Sequence, residues 1–129
     1  MRITNEPPSA VDLATLWNAV GFGPAGAEQL EGRVFAPGVQ SVAAYGEAGD
    51  LVGLARLFTD GFTSCWIADL AVAPGPENAA IRAAVLAACV GRFGHLDMYG
   101  DAFAHEVDAY TSCGLKVQPR LTAVSRKGR

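Results

Sequence analysis

Residues 39–74, VQSVAAYGEAGDLVGLARLFTDGFTSCWIADLAVAP, decide the fold. Apolar residues run through 41–46, 51–58 and 63–73, and the breaks at 47–50 and 59–61 hold the turn-forming residues. The pair Asp60-Gly61 between two apolar runs is a strong hairpin signal, because tight turns matching strand twist need residues that tolerate positive φ. Three consecutive strands joined by such short turns pair as an antiparallel meander.

The meander runs into VAPGPENAAIRAAVL, residues 72–86, which passes from the end of a strand into an alanine-rich helix expected over 77–92. A helix start presents free N–H groups and partial positive charge, the arrangement with which many α/β proteins hold phosphate. Such junctions usually carry glycines. Here there is none between Gly75 and Gly91, although the chain has 15, and Glu77 puts a carboxylate where an anion would sit. Upstream, SAVDLATLWNAVGF reads as an amphipathic helix. Ser9 and Asp12 form a variant capping box, Leu13, Leu16, Trp17 and Val20 share one face, and Gly21 ends it. A short strand is expected around 2–4, and a glycine- and proline-rich loop over 22–39 with a short helix at 27–30. Downstream, a strand over 95–99, a helix over 102–112 closed by Gly114 and a last strand over 121–125 complete the pattern. The order predicts an α+β sandwich: a central, mostly antiparallel sheet flanked by helices, with a helical crossover after the third meander strand.

With 129 residues, half of them hydrophobic, the chain suits one core, so residues 1–129 are read as a single domain. No apolar run reaches membrane-spanning length, and MRITNEPPS lacks the apolar core of a signal peptide. A cytoplasmic protein without a membrane partner is expected. The net charge of −3 is unevenly spread, since Lys116, Arg120, Arg126, Lys127 and Arg129 supply five of the ten basic groups. Residues 1–115 hold the other 5 and all 13 acidic groups, a balance of −8. The basic tail fits a solvated terminus or a site for a phosphorylated ligand. Nucleic acid is not an expected partner, because no aromatic residues interleave with these charges and the sequence pI is near 5.2. Cys65, Cys89 and Cys113 lack metal or CxxC spacing and read as reduced packing residues, and with His95 and His105 scattered no metal site is expected.

The order of elements resembles the GNAT acetyltransferase superfamily, and three stretches carry the resemblance. LWNAVGFG is similar to the first-helix ending of small bacterial members, LVGLARLFTDGFTSCWIADLAVAP to their central hairpin, and DAYTSCGL to their FYExxGF segment. The resemblance implies a GNAT-like acyl-CoA N-acyltransferase fold, acetyl-CoA as co-substrate, and transfer of an acyl group to a small amine by direct attack. It also permits a homodimer. Members hold the CoA pyrophosphate on backbone N–H groups of a glycine-containing loop at the start of the central helix. That loop aligns with Glu77, Ala80 and Arg82, and all three depart from the pattern. Arg82 either blocks the approach or swings out to pair with phosphate, and the altered junction implies weakened CoA binding.

By the same resemblance, Leu70, Ala71 and Val72 orient the thioester arm, while Ala80, Ile81 and Arg82 lie at the pyrophosphate. Tyr110, four residues before Gly114, matches the tyrosine that protonates the departing thiolate. A phenol of pKa about 10 can do so for a thiol of about 8.5, and a core aromatic is the alternative. Asp69 lies in the otherwise apolar CWIADLAV, where a carboxylate is costly unless paired or facing a cleft. It reads as a base for the acceptor amine or as a structural carboxylate. Strict alternation puts it on one face with Ile67 and Ala71, opposite Trp66, Ala68, Leu70 and Val72. Two further readings remain: a GNAT-like binding or regulatory module, and an enzyme of different chemistry that does not use CoA.

Overall fold

The computed structural model describes residues 1–128. The chain runs β1 (Arg2–Thr4), α1 (Ala10–Ala19), α2 (Ala27–Leu30), β2 (Val39–Tyr45), β3 (Leu51–Thr59), β4 (Ser64–Val72), α3 (Asn78–Phe93) and β5 (Asp97–Gly100). A 3-10 turn (Ala104–Glu106) and α4 (Val107–Ser112) follow. The strands form one sheet in the order β1-β2-β3-β4-β5. The first three pairings are antiparallel and β4–β5 is parallel, as the crossover through α3 requires. The expected meander and helical crossover are both present.

Local chemistry explains the element boundaries. Ser9 caps α1, its hydroxyl accepting from the Asp12 amide at 3.1 Å. Asp60 holds the β3–β4 turn, with Oδ1 accepting from the amides of Phe62 at 2.9 Å and Thr63 at 2.8 Å, and Oδ2 from the Thr63 hydroxyl at 2.6 Å. The Thr63 hydroxyl and these amides hold its carboxyl well below the usual carboxylate range. Asn78 ties β4 to α3, its side-chain amide donating to the carbonyls of Val72 and Ala73.

α3 covers one face of the sheet. Ile81, Val85, Leu86, Cys89 and Phe93 pack there on Val42, Ala44, Ala55, Leu57, Ile67, Leu70 and Val72. Gly53 permits the close approach, since a Cβ at this position would lie 2.7 Å from Ile81 Cγ2 and 3.2 Å from Val85 Cγ2. Burial raises the Cys89 thiol to about 12, which keeps it protonated and inert. All three cysteines are free, with Cys65 and Cys89 buried and Cys113 partly so. On the other face α1 covers only part of the sheet, packing Leu13 and Leu16 on Ala43, Leu54 and Ala71.

Three expectations are corrected. Residues 121–125 form no strand, and Val117, Leu121 and Val124 are exposed. The Leu121 amide donates to the Gln118 carbonyl in a local turn, and without a neighbouring strand to pair with, propensity alone does not make a strand. The helix expected over 102–112 is regular only from Val107, because Glu106 Oε1 accepts from the Phe103 amide at 3.2 Å and shapes a 3-10 turn first. The last sheet strand begins at Asp97 rather than 95, since the Leu96 amide turns back to the Phe93 carbonyl.

Candidate active site

The site begins with an extra residue. Arg56 faces Asp69 across the β3–β4 ladder, yet its neighbour Leu57 faces Ile67, so Ala68 is a β-bulge. The bulge reverses the expected alternation. Ile67 lies on the α3 face with Leu70 and Val72, while Asp69 lies on the α1 face with Ala71. One inserted residue shifts the pleat, which a strict period of two cannot anticipate. The bulge also marks where two strands part. β4 and β5 pair from Ser64–Asp97 to Ile67–Gly100 and no further, so 68–72 have a partner only on the β3 side. A cleft of about 250 Å³ opens there, lined by Phe22, Asp69, Leu70, Asp101, Phe103 and Glu106 among others. A second hollow of about 260 Å³ beside α1 and α2 has Glu31 as its single charged lining residue. It lacks the convergent polar groups of the cleft, which is therefore the candidate site.

Asp69 is held from one side. Arg56 donates from Nε at 2.9 Å and Nη2 at 2.6 Å, both to Oδ2. Oδ1 is buried and has no hydrogen-bond partner among the described residues. Arg56 is itself fixed, its guanidinium lying 5.4 Å from the Trp17 ring centre and 5.5 Å from that of Phe58. The pair is therefore oriented, with one acceptor atom uncommitted.

Tyr110 is 5 % exposed and packs at the point where the strands separate. A Cβ on Gly100 would meet Tyr110 Cε1 at 3.2 Å and Ile67 Cβ at 3.5 Å. Burial first, and then the Glu106 carboxylate, raise its phenol above the usual range, so it stays protonated through neutral pH. Glu106 is almost fully buried and faces Arg82, with 3.4 Å between Oε2 and Nε.

This placement changes the reading of the junction. Arg82 does not stand over the start of α3; it turns aside to Glu106 with 12 % of its side chain exposed. Ala79 and Ala80 are exposed, and their amides have no backbone partner among the described residues. Ile81 is a core residue against Gly53, leaving only its backbone available to a ligand. Glu77 is exposed, caps nothing with its side chain, and is the remaining anion at the helix mouth. Leu70, Ala71 and Val72 are buried by side chain, while the backbone edge on their β5 side lacks a neighbouring strand.

Neither a protein-family profile nor a curated protein sequence matches the chain. Solved structures do. A probable acetyltransferase of unknown function from methicillin-resistant Staphylococcus aureus superposes with a TM-score of 0.79 at 21% identity, over 98% of both chains. A GNAT family acetyltransferase from Streptococcus pneumoniae gives 0.76 at 21% identity, over 99% of this chain and 98% of the other. An aminoglycoside acetyltransferase from an uncultured soil metagenomic sample, solved with sisomicin, gives 0.74 at 16% identity, over 99% and 96%. The chain has the GNAT fold.

Within this GNAT fold, sequence reasoning singled out Asp69 and missed Arg56. Both are lone charges of opposite sign in consecutive apolar strands, and counting back from the Asp60-Gly61 turn was the available signal. Glu106, buried against Arg82, was also missed; its distance of three residues from Phe103 suited a cap, but nothing in the chain order announced Arg82 as its partner.

Proposed function

We propose that this protein is a GNAT-type N-acyltransferase of the cytoplasm that moves an acetyl or other acyl group from acyl-CoA to a small amine. The observation that carries the reading is the opened edge of β4 beside a carboxylate with one uncommitted oxygen. Acyl-CoA would supply a thioester whose carbonyl the amine attacks and whose thiolate departs. The residues present fit such a co-substrate in two parts. The free backbone edge at Leu70, Ala71 and Val72 suits the thioester arm, and the unpartnered amides of Ala79 and Ala80 suit a phosphate. Glu77 opposes that phosphate, which makes the binding weak.

Asp69 would accept the proton of the acceptor amine at Oδ1, directly or through a water, while Arg56 fixes the carboxylate's orientation. Tyr110, kept protonated by burial, would donate toward the departing sulfur. The test is acyl transfer from acetyl-CoA to an amine panel at matched concentrations of folded protein. Asp69→Asn should lose turnover by about a hundredfold or more, most severely at low pH where few acceptor amines are already neutral, and Tyr110→Phe should lower kcat more than it raises KM. Full activity in both variants would refute these roles. The reading as a binding module rests on Glu77 and on the engagement of Arg82 with Glu106, and absence of any acyl transfer would favour it.

A further inference from the structure

The α1 face carries an uncovered aromatic row beside the cleft. Phe58 stands opposite Trp66 in the β3–β4 register, and Trp66 stands opposite Tyr99 in the β4–β5 register. Their neighbours Leu57, Cys65, Ile67 and Met98 belong to the core on the α3 side, so all three rings lie on the α1 side. Each is more than two-fifths exposed, and the Trp66 and Tyr99 rings stack with centroids 5.7 Å apart. Trp66 lies two residues before Ala68 and Tyr99 two before Asp101, and both of those residues line the cleft. No stability argument requires three large rings in water, because exposed aromatic surface is usually kept for recognition.

The charges of the cleft narrow the choice of ligand. Of its three carboxylates, Asp69 is neutralised by Arg56 and Glu106 by Arg82, which leaves Asp101 without a cation partner among the described residues. A polycation would find one free carboxylate, Asp101, beside two that are already paired. A single ammonium with a flat apolar body instead finds Asp69 Oδ1, buried but without a hydrogen-bond partner among the described residues, a half-neutral wall and aromatic surface. Trp66 and Asp69 are three residue steps apart on the bulged strand, roughly 7–10 Å at the strand rise, so the amine would sit two or three bonds from its ring.

We propose that the acceptor of this site is an arylalkyl monoamine whose ring packs on the Trp66–Tyr99 row while its nitrogen reaches Asp69 Oδ1. This deepens the acyltransferase reading and rests on it for the word acceptor, but the binding surface is independent of acyl-CoA. The probes are therefore 2-phenylethylamine and spermidine, titrated calorimetrically into the protein without any CoA. The expected result is saturable binding of 2-phenylethylamine, about tenfold or more tighter than spermidine. Trp66→Leu should weaken it by about tenfold, while Phe62→Leu, an exposed aromatic off the row, should leave it unchanged. Spermidine binding as tightly, saturation by neither amine, or indifference to Trp66→Leu in a variant with an unchanged melting profile would overturn the proposal. Failure of acyl transfer with these binding results intact would count against the acyltransferase reading alone.

Discussion

The two faces of the sheet are built from the same strands and do different work. Toward α3, aliphatic side chains from β2, β3 and β4 meet one long helix, and even Gly53 is shaped by contact with Ile81. Toward α1, the cover stops at Ala43, Leu54 and Ala71, and beyond it lie Arg56, Asp69 and three exposed rings. The closed face holds the larger core, and the open one carries the residues proposed for the chemistry. The bulge at Ala68 joins them, since one inserted residue keeps Ile67, Leu70 and Val72 in the core while sending Asp69 to the other side.

Substitutions on the two faces should show this contrast. Leu86→Ala, deep on the α3 face, should lower unfolding free energy by about 2–5 kcal/mol in a denaturant titration. Gly53→Ala should cost about 1–3 kcal/mol by forcing α3 off β3. Trp66→Leu removes a larger side chain from the open face, yet should change stability by no more than about 0.5 kcal/mol. A loss at Trp66 comparable to that at Leu86 would erase the distinction between the faces.

Acid should act on the turn that both faces share. Asp60 is depressed below its ordinary 3.8 by the Thr63 hydroxyl and the amides it accepts from. Its contribution is present above that ordinary value and is lost as pH falls through the lower folded value. Wild type should therefore lose stability in the range below about pH 4 more steeply than Asp60→Asn, which has no proton to take up there. Parallel acid limbs for the two proteins would show that the turn bonds contribute nothing.

The meander, the crossover and the packing of α1 were legible because each follows from local signals: the Asp60-Gly61 turn, the Ser9 cap and the 3.6-residue apolar spacing. The same rule failed at 121–125, where apolar residues have no strand to pair with. At the site, Asp69 stood out as a lone charge in an apolar run, but its facing did not, because a bulge leaves no mark in hydrophobic pattern. Arg82 was legible as a departure from the GNAT pattern while its direction was not. A guanidinium goes to the nearest buried carboxylate, and Glu106 is brought to it only by the packing of α4 on α3.

The most direct test of the central claim is calorimetric titration of acetyl-CoA into the wild-type protein and into Glu77→Gln. If the opened edge of β4 and the free start of α3 receive acyl-CoA, wild type should give weak, saturable binding. Removing the carboxylate at the helix mouth should then tighten it by about two- to fivefold, the factor expected for 0.3–1 kcal/mol near a helix end. No saturable heat from either protein, or weaker binding by Glu77→Gln, would contradict the claim.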